Sequence, residues 1–168
     1  FHMTTLNTEH PITQGFPKKW LHPSEQLTHG QHGPDGVVSP ATINVLTYAW
    51  SESEKERQPM DWVRNYGKGR VYVTMLGHTW KNEEPDNPNL RCVGFQTLFL
   101  RGLEWAATGQ VTVPIPADFP TEDKISVRPG PIVLPSVLLA AKRVLILGDS
   151  ITYGGNYVDF VETVVRRR

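Results

Sequence analysis

The sequence predicts a mixed α/β chain, and three observations carry that prediction. Runs rich in β-branched and aromatic residues occupy Ile43 to Trp50 and Arg70 to Leu76; the period becomes helical after Asn89; and a continuous apolar run, Arg143 to Leu147, leads into an amphipathic stretch. At 168 residues the chain has room for one domain, or one domain and the start of another.

Taken in order, residues 1 to 42 hold five of the prolines and five of the histidines with almost no hydrophobic period, and are predicted as a long irregular segment. Ile43 to Trp50 is predicted as a strand, and the charged stretch Ser51 to Gln58 as an exposed turn. Met60 to Tyr66 alternates apolar and polar residues. Gly67-Lys68-Gly69 then suits a three-residue hairpin loop into Arg70 to Leu76. Asn82 to Asn89 is polar and contains proline, hence loop. Val93, Leu98, Phe99, Leu103 and Ala106 fall near one helical face, with Asn89 as N-cap and Gly109 just past the end. Val111 to Arg128 is proline-punctuated extended chain, and Pro129-Gly130-Pro131 is linker. Ser136 to Ala141 suits a short helical turn and Arg143 to Leu147 a buried parallel strand. Tyr157, Phe160, Val161, Val164 and Val165 then repeat with helical spacing ahead of Arg166-Arg167-Arg168, cations that suit a helix C-terminus.

Composition narrows the function. Seventeen Lys and Arg balance seventeen Asp and Glu, so no field of one sign is available to hold nucleic acid or an anionic membrane. Ile132 to Val144 is interrupted by Pro135 and falls well short of the roughly 20 apolar residues of a spanning helix. One cysteine, Cys92, makes neither an internal disulfide nor a Cys-based zinc site. Phe1-His2-Met3 opens without an initiator Met or the basic and apolar regions of a secretory signal. The expectation is a chain that begins inside a longer polypeptide, of undetermined compartment. Fourteen Gly and fourteen Pro are about 17% of the residues against a usual sum near 12%, as expected of a piece rich in loops.

The segment Gly148-Asp149-Ser150-Ile151-Thr152-Tyr153-Gly154 sits between a buried strand and a helix, where a serine hydroxyl can project at the carboxyl edge of a sheet. It resembles the first block of the GDSL, or SGNH, hydrolases. That resemblance implies Ser150 as nucleophile, Asp149 beside the substrate, an ester substrate, and the β-α start of an SGNH-type domain over 142–168. A serine needs an adjacent base, and no histidine follows Ser150; no serine-esterase activity is expected of the chain as it stands.

A longer resemblance rests on ordered blocks: His10-Pro11-Ile12-Thr13-Gln14-Gly15-Phe16-Pro17, Ser24 to Gly30, Gln58-Pro59-Met60-Asp61-Trp62, Tyr66 to Val71 with Leu76-Gly77-His78, and Phe95 to Leu98 with Arg101 to Gly109. Together they are similar to the ThuA-like, or trehalose-utilisation, family. The resemblance implies a partial flavodoxin-like, class I glutamine amidotransferase-like three-layer fold, comprising the C-terminal part of that domain over 1–115, with a Pro-rich linker over 116–141. It also implies a small carbohydrate as substrate. Where the family tends to have Asp-Glu-Leu-Tyr-His, this chain has Glu25-Gln26-Leu27-Thr28-His29.

His29 and His78 are the candidate base and acid, because imidazole titrates near neutrality and each lies beside a glycine that lets a substrate approach the backbone. Glu25 and Gly77 are expected against the substrate. A metal site from Glu25 and the two histidines lacks ligand spacing, and neither a metal nor a cofactor is expected. Trp20, Trp50, Trp62, Trp80 and Trp105 are available to stack on sugar rings or to fill core and rim. Three functions stay open: a carbohydrate-associated module of a two-domain enzyme, an SGNH esterase, or a non-catalytic binding piece. A half-domain would leave sheet edge unpaired and invite self-association.

Overall fold

The structure is a computed structural model that describes residues 1–33, 36–41, 43–78 and 87–129. Its elements are β1 (His2–Thr5), β2 (Lys19–Leu21), β3 (His32–Gly33), β4 (Gly36–Val37), β5 (Asn44–Ser51), β6 (Glu56–Tyr66), β7 (Gly69–Thr74), α1 (Pro88–Arg91) and α2 (Val93–Thr108). Five strands form one sheet in the order β2-β1-β5-β6-β7, each antiparallel to its neighbour; β3 and β4 pair separately.

The largest departure from the sequence expectation lies at the start. Residues 1 to 42 are not irregular throughout: β1 sits inside the sheet between β2 and β5. Met3, Thr4 and Thr5 are all buried, and a four-residue strand with that profile shows no period of two from which to recognise it. The outer strand β2 is partly covered on its free side, where Leu21 N–H donates to the Thr121 carbonyl at 2.9 Å.

The hairpin is present with a shorter loop than expected. Tyr66 pairs with Gly69, so two residues turn the chain, and Gly67 at φ 57° supplies the positive φ that such loops require. The 51–58 turn is also tighter, since β5 runs through Ser51 and β6 begins at Glu56.

The single helix expected from Asn89 is two. Asn87, not Asn89, caps α1: its Oδ1 accepts from Asn89 N–H at 2.8 Å, with Pro88 at the first helical position. Cys92 then breaks the helix with φ −60° and ψ 122°. It does so because the later chain docks there: Cys92 bridges to Val127, and Val93 N–H donates to Ser126 O at 3.0 Å. Gly109, left-handed at φ 81°, ends α2 as expected.

Helix α2 lies on one face of the sheet, over a core that includes Met3, Trp20, Leu46, Met60, Phe95 and Leu98. Contact is direct because α2 carries Gly102 over the Tyr72 ring, where an added Cβ would stand 2.2 Å from the nearest ring carbon. A smaller cluster of Val38, Val45 and Trp62 occupies the other face at one end. The architecture is thus mixed α/β around an antiparallel sheet. The elements expected over 136–165 and the GDSL-like segment with Asp149 and Ser150 lie outside the described residues.

Candidate functional site at the carboxyl edge of the sheet

Because β1 and β6 run opposite to β2, β5 and β7, the last three strands all end at one edge of the sheet. His22 follows β2 directly, Ser51 is the last residue of β5, and Gly77 and His78 follow β7. Loops leaving such an edge are common bearers of chemistry.

Glu25 organises this edge. Its Oε2 accepts from Gly77 N–H at 2.8 Å and its Oε1 from His78 N–H at 3.0 Å. Gly77 permits this double contact: its φ of 93° turns successive N–H groups toward one carboxylate, and Phe95 leaves no room for a Cβ, with a ring atom 2.8 Å from where one would stand. His22 Nε2 lies 3.3 Å from Glu25 Oε2, with both side chains fully buried. A carboxylate only accepts, so in this pair the imidazole nitrogen is the donor. His22 Nδ1 is buried and has no hydrogen-bond partner among the described residues. Asn89 completes the set by accepting from Ser24 N–H at 3.3 Å, which fixes the loop that carries Glu25.

The sequence placed Glu25 against the substrate. Its side chain is instead buried and its acceptors are spent on Gly77, His78 and His22, which makes it a holder of the neighbouring loop. His78 is half-buried at the same edge. His29 is exposed, and its Nε2 lies 3.0 Å from Ser51 Oγ at the end of β5. The structure therefore gathers His29, His78, Gly77 and Glu25 onto one edge, with Glu25 and His78 in direct contact through the backbone. Among the described residues no three His, Cys, Asp or Glu side chains are grouped to hold a metal ion.

A second polar cluster lies under α2. Asp61, fully buried, accepts from Thr47 Oγ1 at 2.5 Å and from Tyr72 OH at 2.7 Å. Burial raises its carboxyl to about 6; hydrogen bonds from Thr47, Tyr72 and Thr74, and the nearby His22, only partly offset that penalty. Tyr72 is pushed well up in turn, by burial and by Asp61.

Simple alternation would put Asp61 on the face of Arg57 and Pro59. Two register shifts, one on each side of the Thr47–Asp61 pair, insert Met60 on β6 and Leu46 on β5 and swing Asp61 to the α2 face. Sequence reasoning missed Asp61 for that reason. It passed over His22 because the partner comes from a loop turn; a histidine directly at a strand end was the available signal.

His10 is a loop residue. Its Nδ1 accepts from Ile12 N–H at 3.3 Å, its ring packs edge-on to Trp105 at 5.0 Å, and burial lowers its pKa. Of the tryptophans, Trp20 and Trp62 are buried and Trp50 is exposed; Trp80 lies outside the described residues.

Fold and edge together define a mixed α/β domain with imidazoles and a buried carboxylate gathered where its parallel-running strands end. The family model ThuA, trehalose utilisation, matches residues 1–106, and the chain belongs to that family. A crystal structure at 1.75 Å of a protein from Parabacteroides merdae ATCC 43184, described as ThuA-like, is similar at 39% identity and a TM-score of 0.63 over 76% of this chain. The chain spans 45% of that protein's length. No curated protein matches.

Proposed function

We propose that this chain is the carbohydrate-handling part of a larger enzyme, acting on a small sugar derivative at the edge bearing His29, Gly77 and His78. The observation that supports it most is the pair of hydrogen bonds from Gly77 and His78 N–H to Glu25, which fixes one imidazole-bearing segment while a second imidazole, His29, is exposed against Ser51 at the end of β5. His78 and His29 divide the roles of acid and base, Gly77 leaves the backbone open to the substrate, and Glu25 is a positioning residue. The three-layer, flavodoxin-like completion of the domain belongs to this proposal.

The test is saturable binding or turnover of trehalose and related disaccharides by the full chain. His78→Ala and His29→Ala are each expected to lower turnover by about 10²-fold or more, the usual worth of a positioned acid or base. Unchanged turnover in both variants overturns the assignment. The esterase alternative rests on the Gly148-Asp149-Ser150 segment alone; labelling of Ser150 by a fluorophosphonate would favour it.

A further inference from the structure

The sheet face turned away from α2 carries a groove of about 450 Å³ that the histidine edge does not use. Strand register builds it in two rows. Lys19, Thr4 and Tyr48 lie side by side across β2, β1 and β5, and Trp50 lies opposite Arg57 across β5 and β6. Their chain neighbours Trp20, Met3, Ala49 and Gln58 are buried on the other face, so the lining points outward by alternation.

Two features make this a prepared surface. Trp50 is 47% exposed, and the charge of the neighbouring Glu52 is met by Lys55 Nζ at 2.9 Å. The Arg57 guanidinium lies 4.7 Å over the Tyr48 ring centroid and has no carboxylate partner among the described residues. Stacking holds the fork in place and leaves its donors to a ligand. Among the described lining residues, Glu52 is thus met by Lys55 and Lys19 by Glu122 Oε1 at 3.3 Å, while the held guanidinium of Arg57 has no carboxylate beside it.

We infer that this groove is a second binding site, for a sugar ring bearing an acidic group: the C–H face of the ring stacks on Trp50, the anion is held by Arg57, and Thr4 and Lys19 meet the ring hydroxyls. A planar aromatic acid would satisfy Trp50 and Arg57 but leave that polar wall unmatched. Sugar carboxylates and sugar phosphates share the required chemistry. The inference stands independently of the histidine edge.

The experiment follows the Trp50 indole N–H signal by nitrogen-15 NMR in the full chain, titrated with glucuronate, glucose 6-phosphate, glucose and benzoate. The expected result is a saturable Trp50 shift with one or both acidic sugars, at least about 10-fold tighter than with glucose or benzoate, since a charge-assisted hydrogen bond contributes that much or more. Whichever acidic sugar binds tighter identifies the anion as carboxylate or phosphate. Arg57→Gln should weaken binding about 10-fold and Arg57→Lys less, because a lysine keeps the charge without the fork. His78→Ala should leave the titration unchanged, whatever it does to turnover. Equal binding of glucose or benzoate, an Arg57→Gln variant that binds as well as the parent, or a response lost in His78→Ala would each overturn the proposal.

Discussion

The polar residues of α2 and those of the carboxyl edge are spent differently. On α2, Arg101 donates to four carbonyls, of Pro11, Ile12, Gln14 and Val113, at 2.6 to 3.1 Å. One turn on, Glu104 accepts from the Thr112 hydroxyl and from the N–H groups of Thr112 and Val113. Burial alone would raise the Glu104 pKa; those hydrogen bonds and Arg101 outweigh it and leave the carboxyl below its ordinary value. These two side chains join the loops before and after them to the helix, and their hydrogen-bonding capacity is largely used. At the edge, Glu25 is engaged in the same manner, yet what it holds is a segment ending in His78, with His29 exposed beside Ser51. The same chemistry, a buried charge bonded to backbone, serves loop anchoring in one region and presentation of a side chain in the other.

The comparison is broken most severely by removing the anchor. Arg101→Ala leaves four carbonyls without their donor and should cost about 3–5 kcal/mol of stability, as when a buried charge network loses a member; chemical denaturation measures it. A midpoint unchanged from the parent would mean that the anchor holds nothing.

Asp61 provides the next effect, through pH. Its carboxyl titrates near 6 in the folded chain against an ordinary value of 3.8, so between those values the folded state holds a proton that the unfolded state has lost. Stability from this group therefore falls as pH rises from about 4 to 6 and is level above that, by on the order of 2–3 kcal/mol. Asp61→Asn removes the titration, and the stability difference between parent and variant should change over that window. A difference independent of pH would place the carboxyl at an ordinary pKa.

The smallest effect sharpens the contrast. His29→Ala should change stability by about 1 kcal/mol or less, since the side chain is exposed and gives up one hydrogen bond, to the buried Ser51 Oγ, which keeps Ser53 and Glu54 N–H as partners, while lowering turnover as stated above. A large loss of stability would make His29 another anchor.

How much of this was legible in the sequence depended on the range of the interaction. The β5 strand, the β6–β7 hairpin and the Gly109 stop are local, set by residue type within a few positions, and were legible. His29 and His78 are singled out in the sequence by the glycines beside them, a local sign of open backbone, and their roles belong to the proposal above. What was missed is long-range. β1 is a strand because β2 and β5 flank it, and Cys92 breaks the helix because Val127 arrives there. Glu25 is buried because Gly77 and His78 close over it. No window of a few residues contains those partners.

The paired insertions at Leu46 and Met60 have one more outcome. Each adds a residue to its own strand, so they cancel in matching partners: Asn44 meets Val63 as though neither were there. They do not cancel in sidedness, because a single added residue exchanges inside and outside for the rest of a strand. The outer surface is consequently divided in two. Beyond the insertions toward Asn44, Val45 and Trp62 face outward under a cover that includes Val38 and Ile43. Before them, Tyr48, Trp50 and Arg57 face outward uncovered. One short irregularity thereby sets where this sheet is sealed and where it stays open.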